Sequence, residues 1–280
     1  MTVGSVSGKS ILVTGGGSGI GRCIAETLVA GGATVTILGR NRERLDTAAS
    51  EISAAGGPGT VHAVSADITD EEQVAAAVAE VVERAGGLEG VVACAGGSET
   101  IGPVTQIDSA AWRNTVDLNV NGTMYTFKHA ARELVRGGGG SMVAISSIAA
   151  SNTHRWFGAY GVSKSAVDHL VRLAADELGA SNVRVNGIRP GLIRTELVAM
   201  VLDSPDLSGD YAQSTPLPRV GEPEDVALLA AFLLGDASSW ISGQVINVDG
   251  GQNVRRGPDY SSMFEPLFGA DALRGVVPQE

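Results

Sequence analysis

Ile11-Leu-Val-Thr-Gly-Gly-Gly-Ser-Gly-Ile-Gly21 passes from four residues suited to a strand into a glycine-rich turn, and then into an amphipathic run from Ile20 to Ala30. Strand, turn and helix in that order make a cradle for a phosphate. Glycines allow positive φ and close approach of the backbone, and a helix start offers free N–H groups and the positive end of its dipole. A glycine-rich turn also serves plain packing of helix on strand, but the flanking elements here are those a dinucleotide site requires.

Outward from this stretch the same alternation repeats. Strands are predicted over Ile11 to Thr14, Thr34 to Leu38, Val61 to Ser65, Gly90 to Cys94, Met142 to Ser146, Arg184 to Ile188 and Gln244 to Val248. Helices are predicted over Ile20 to Ala30, Arg42 to Ala55, Glu71 to Ala85, Ala110 to Val135, Ala159 to Leu178 and Pro223 to Leu234, from apolar residues at helical spacing. Strands alternating with helices read as βαβ units, so the expected fold class is α/β: a Rossmann-type, doubly wound parallel sheet of about seven strands, with helices on both faces. No Pro- or Ser-rich linker divides the chain, and Gly137 to Gly140 reads as a helix-to-strand turn. One catalytic domain is expected over 1–251. Residues 192–222 interrupt the rhythm with Pro205, Gly209, Pro216 and Pro218, and a connection of that length suggests a substrate lid. The tail, 252–280, carries Met263, Phe264, Leu267 and Phe268 among polar residues and is expected to dock on the domain or on a neighbouring subunit.

Composition narrows the function. Among 280 residues, 44% are hydrophobic, 4% aromatic and 38 are glycine, which suits an ordered globule with many tight turns. A net charge of −11 argues against nucleic acid and anionic membrane as partners, because both attract basic surfaces. No stretch is long and apolar enough to cross a bilayer, and the first residues lack the apolar core of a signal peptide. Cys23 and Cys94 form no disulfide framework, so a reduced, cytoplasmic setting is expected. His62, His129, His154 and His169 share no ligand spacing, and no metal site is expected.

The second strand runs into Leu38-Gly-Arg-Asn-Arg42, without the acid that would hydrogen-bond an adenosine 2′-hydroxyl. Arg40 suits a 2′-phosphate instead, so NADP is the expected cofactor, with NAD still open; Arg42 and Arg44 read as the start of a charged helix. Asp67 is suited equally to accepting from the adenine amino group and to capping the next helix. Tyr160 and Lys164 stand one helical turn apart. A phenol ordinarily has a pKa of about 10, and a nearby ammonium would favour the phenolate. Lys164 is placed to be that ammonium. On its own, Tyr-x-x-x-Lys is also a common surface pairing on helices.

Taken together, Thr14-Gly-Gly-Gly-Ser-Gly-Ile-Gly21, Asp67, Cys94-Ala-Gly96, Asp117-Leu-Asn119, Ile145-Ser-Ser147, Tyr160-Gly-Val-Ser-Lys164 and Pro190-Gly191 with Thr195 resemble the short-chain dehydrogenase/reductase family from about Gly8 to Gly251. The resemblance implies an oxidoreductase, with Tyr160 as acid/base, Lys164 as its electrostatic partner and ribose ligand, Ser147 as carbonyl anchor and Asn119 as support of a water-linked proton relay. It also implies cofactor contacts from Gly15, Gly17, Ser18, Gly19, Ile20 and Gly21, from Ile68, Ala95 and Gly96, and from Pro190, Gly191, Ile193 and Thr195. Homotetramers or homodimers are usual in the family. Ser146 competes with Ser147, but strand alternation sends neighbours to opposite faces, and the family spacing selects Ser147. Asn119 has a plainer alternative as a helix residue bonding locally. Where the family usually has Asn-Ala-Gly this chain has Cys94-Ala95-Gly96, which weakens one hydrogen-bonding group.

Trp156, Leu192 and Leu197 are expected to line an apolar substrate pocket for a small apolar carbonyl or alcohol substrate, suited to a ketone, a secondary alcohol, a steroid-like compound or an acyl chain. Two other functions stay open: a 3-oxoacyl-thioester reductase of fatty-acid metabolism, and a nucleotide-binding sensor or scaffold without turnover.

Overall fold

Residues alternate sides along every central strand, and that alternation builds the molecule. On β1 (Ser10–Thr14), Ile11 and Val13 face one core while Leu12 faces the other. On β5 (Gly140–Ile145) the split is Val143 and Ile145 against Met142 and Ala144. Burial on both faces explains why these strands read as nearly continuous apolar runs. The remaining strands are β2 (Thr34–Gly39), β3 (Thr60–Ser65), β4 (Gly90–Ala93), β6 (Val183–Pro190) and β7 (Val245–Val248). All pair in parallel, in the order β3-β2-β1-β4-β5-β6-β7. The computed structural model describes residues 5–277, so the first four residues of the domain expected over 1–251 and the last three of the tail expected over 252–280 lie outside the described residues.

One face of the sheet carries α1 (Gly19–Ala30), α2 (Arg42–Ala55) and a later helix over Pro223–Leu234, through Ile24, Leu28, Leu45, Ile52, Val226 and Leu233. The other carries α3 (Glu71–Ala85) and helices over Gly122–Arg136 and Ala159–Leu178, through Val78, Val81, Phe127, Leu134, Val167 and Val171.

The single helix predicted over Ala110 to Val135 is two helices. α4 (Ser109–Val116) and α5 (Gly122–Arg136) are joined by a π-helical turn, Asp117–Asn121. The axis continues across the wide turn, so the apolar spacing that suggests one helix is only slightly disturbed. α6 (Ala159–Leu178) follows β5.

Segment 192–222 holds two helices, α7 (Ala199–Leu202) and α8 (Pro205–Ser214), ahead of α9 (Pro223–Leu234). Its base is pinched by a β-bridge between Ile193 and Gly221. The tail forms α10 (Ser261–Phe268) and α11 (Ala270–Leu273) and packs on its own chain, where Tyr260 and Phe264 join Leu207 and Tyr211 of α8 in a third apolar cluster. Leu267, expected to help dock the tail, points outward.

Candidate active site

The strand order reverses between β1 and β4, and at their carboxyl ends the sheet opens into a cleft of about 630 Å³. The glycine turn forms one end of it. Gly15 has φ +69°, and a Cβ on it would stand 2.9 Å from the Ala95 backbone; a Cβ on Gly21 would stand 2.3 Å from the Gly15 carbonyl oxygen. Only glycine permits α1 to start so close to the strand ends. The side chain of Ser18, at the N-cap, makes no capping hydrogen bond, so it leaves the first N–H groups of α1 to another partner. Thr195 lies above, its Cγ2 3.4 Å from where a Gly19 Cβ would be. Beneath, the Thr14 hydroxyl accepts from the Cys94 and Ala95 amides at 3.1 Å each, tying β1 to the segment after β4.

At the next stretch of the cleft, Arg40 is 71% exposed along its side chain and stands 3.9 Å from the Asp67 carboxylate. Asp67 accepts from the amide and hydroxyl of Thr69. The cap of α3 is Asp70, which accepts from Glu72 and Gln73, so of the two roles open to Asp67 the capping one is taken by another residue. Arg42 pairs with Asp46 on its own helix, whereas Arg44 reaches 3.7 Å from Glu196 of the 192–222 segment and lines the cleft.

At the far end, Ser147, Tyr160 and Lys164 share the cleft. The Ser146 hydroxyl donates to the Lys164 carbonyl at 3.2 Å, while the Ser147 hydroxyl faces the Tyr160 phenol. Lys164 Nζ is buried, donates to the Ile145 carbonyl at 2.9 Å and lies 5.8 Å from the Tyr160 ring centre. Burial pulls the Lys164 pKa down to about 8 against the pull of Asp168. Burial also raises that of Tyr160, and the Ser147 hydroxyl offsets only part of this. Desolvation of the phenol thus acts against the lowering expected from Lys164. Burial pushes the Cys94 thiol to about 12, so it stays protonated and unreactive at neutral pH.

Asn119 is fully buried behind the cleft, within the π turn. Its amide holds the Gly97 backbone from both sides, accepting from N–H at 2.9 Å and donating to C=O at 2.8 Å, and donates to Ser163 of α6 at 2.9 Å. These are long-range bonds, unlike the local bond of Asn121 to Asp117.

A sequence model of the family described as Enoyl-(Acyl carrier protein) reductase matches residues 15–253. The chain belongs to the short-chain dehydrogenase/reductase family. A solved short-chain type dehydrogenase/reductase from Mycobacterium ulcerans is 66% identical, with a TM-score of 0.96 over 98% of this chain and 100% of that one. The 7α-hydroxysteroid dehydrogenase of Escherichia coli K12 is 36% identical over 88% of this chain and 94% of its own length. A solved 7α-hydroxysteroid dehydrogenase in complex with NADH and 7-oxo glycochenodeoxycholic acid superposes with a TM-score of 0.84 at 36% identity, over 89% of this chain and 96% of that one.

In this dehydrogenase/reductase one cleft gathers Gly15, Gly17, Ser18, Gly19, Ile20, Gly21, Arg40, Asp67, Ile68, Ala95, Gly96, Ser147, Tyr160, Lys164, Pro190, Gly191, Ile193, Thr195 and Leu197. Its length, the glycine cradle and the helix N-terminus fit a nicotinamide dinucleotide. Two of the three expected substrate-pocket residues lie elsewhere. Leu192 lines a second cavity beneath α8, and Trp156 lines neither cavity: its ring packs edge-on to Phe264, 6.4 Å between centres. The tail supplies an apolar partner that attracts Trp156, and helical or strand periodicity says nothing of such a contact. Arg44, Gly97 and Leu118 also line the cleft and were not expected there. For Gly97 the sequence signal was its position beside Cys94-Ala95-Gly96.

Proposed function

We propose that this enzyme interconverts a ketone and a secondary alcohol with NADP(H), using Tyr160 as acid/base. The observation that carries this is the Ser147 hydroxyl facing the Tyr160 phenol in the same cleft that begins at the α1 N-terminus. The bound cofactor supplies or removes hydride. In reduction the substrate carbon gains hydride and its oxygen becomes an alkoxide, which takes the Tyr160 phenolic proton while Ser147 donates a hydrogen bond to the same oxygen. In oxidation the proton returns to Tyr160. Lys164 is buried beside the cleft, binds the ribose and places positive charge near the phenol when protonated. Asn119 holds the Gly97 backbone and α6 in register beside them and supports a water-linked relay.

Arg40 favours NADP, since it is exposed at the cleft and no acid in Leu38-Gly-Arg-Asn-Arg42 competes for a 2′-hydroxyl. A homotetramer or homodimer is supported by apolar side chains left outside, Trp240 at 99% exposure and Leu228 at 66% among them. Both cysteines are free, in keeping with a cytoplasmic setting. Among the described residues, no helix is long and apolar enough to cross a membrane and no cluster has the makings of a metal site.

The test is a panel of ketones and secondary alcohols, with thioesters alongside, assayed by nicotinamide absorbance with NADPH and NADH. Tyr160→Phe is expected to lower kcat by about 10²–10⁴ with cofactor affinity retained. Unchanged turnover in Tyr160→Phe removes Tyr160 from the reaction, and tighter binding of NADH than NADPH, indifferent to Arg40→Ala, reverses the cofactor preference.

A further inference from the structure

The match to the family model stops at residue 253, and the chain then adds an ordered segment that returns to the reacting end of the cleft. Tyr260 and Phe264 of this segment are 1% and 2% exposed. The Tyr260 ring lies 4.7 Å from that of Phe157, and the Phe157 ring lies edge-on to the reacting Tyr160 at 6.1 Å. One ring therefore separates the tail from the acid/base. The Tyr260 hydroxyl bonds that of Tyr211 on α8 at 2.5 Å, which joins the tail to the 192–222 segment. Phe268 closes the next side: a Cβ on Gly102 would stand 2.7 Å from its ring, and Gly102 is itself bridged to Phe157.

The side chains that would otherwise be free to hold a large apolar substrate are thereby committed. Trp156, Leu192 and Val201, from the loop before Tyr160 and from the 192–222 segment, pack against the Tyr260 and Phe264 cluster. The contact is fixed by polar bonds as well. The Arg256 guanidinium pairs with Asp210 of α8, the Asp259 amide donates to the same carboxylate at 2.6 Å, and Asn152 donates to the Gln252 and Arg255 carbonyls.

We propose that the segment around Tyr260, Phe264 and Phe268 backs Phe157 and so walls off the space beyond Tyr160, restricting this enzyme to compact ketones and alcohols. The proposal rests on the ketone/alcohol reading of the same cleft. It sets this chain apart from its relative solved in complex with 7-oxo glycochenodeoxycholic acid.

The experiment compares kcat/KM for cyclohexanone and for a steroid ketone in the wild type, Phe264→Ala and Phe268→Ala, with folding checked by circular dichroism. The wild type is expected to prefer the compact ketone, and each variant to shift the ratio toward the bulky one by roughly tenfold or more, through KM, consistent with the scale of apolar pocket discrimination. Phe268→Ala removes a half-buried ring and serves where Phe264→Ala fails to fold. An unchanged ratio in a folded variant, or a wild type that already favours the steroid ketone, overturns the wall. If the wild type reduces no ketone, the functional reading fails by itself. The wall is then read from melting temperature with NADP⁺ present: cyclohexanol raises it in every protein, and a steroid alcohol raises it only in the variants. No gain with the steroid alcohol in either variant overturns the wall in that case.

Discussion

Ser146 and Ser147 are adjacent in sequence and face different partners: one hydroxyl is used by the Lys164 carbonyl, the other is turned to Tyr160. Strand alternation predicts that the two side chains point to opposite sides, and the family spacing selects Ser147; both residues line the cleft. The state of Tyr160 was not legible, because burial is a property of the fold and not of Tyr-x-x-x-Lys. With its pKa raised, the phenol keeps its proton through neutral pH. Reduction, which uses that proton, is expected to hold its rate from acid to neutral pH, and oxidation, which needs the phenolate, to climb with pH. Initial rates in both directions across this range check the pair of slopes. Lys164 gives a second pH effect. The folded protein releases its proton near 8, below the ordinary 10.5. The unfolded chain therefore holds more protons between those values, so the cost of burying Lys164 fades as pH rises through that window. Urea unfolding at its two ends should show the wild type gaining stability relative to Lys164→Met as pH increases.

Among elements, the strands were the most legible, since burial on both faces leaves continuous apolar runs bounded by turns. The break at Asp117–Asn121 was not, because a π turn barely alters the period of the apolar residues around it. Its purpose is visible only in three dimensions: it carries the Asn119 amide to Gly97 and Ser163. Asn119→Ala leaves the Gly97 N–H and C=O without this partner, and a loss of about 1–3 kcal/mol for each buried group left unpaired is expected. Equilibrium unfolding measures it, and Asn119→Asp, which keeps the acceptor for the Gly97 N–H, should lose less at a pH where the acid is neutral.

For the molecule as a whole, the seven-strand order and its two helical layers follow from the repeated βαβ pattern, while the course of the tail does not. Met263, Phe264 and Phe268 announced that the tail is not free, but their spacing carries no address, and their partners on α8 and beside Tyr160 are separated from them by dozens of residues. Deleting residues 257–280 would expose Tyr211, Leu207 and Phe157, and a fall in melting temperature of at least about 5 °C is expected, together with new binding of a hydrophobic dye. Calorimetry and dye fluorescence check both.

The reversal of strand order between β1 and β4 also divides the labour of the chain. The glycine cradle, Arg40 and Asp67 come from loops after β1 to β3, whereas Ser147, Tyr160, the 192–222 segment and the tail all follow β5. A recombination junction in the helix between β3 and β4 would carry nucleotide preference on one fragment and the reacting groups on the other. Chimeras with the Mycobacterium ulcerans relative, cut there, can therefore exchange one trait while leaving its counterpart in place.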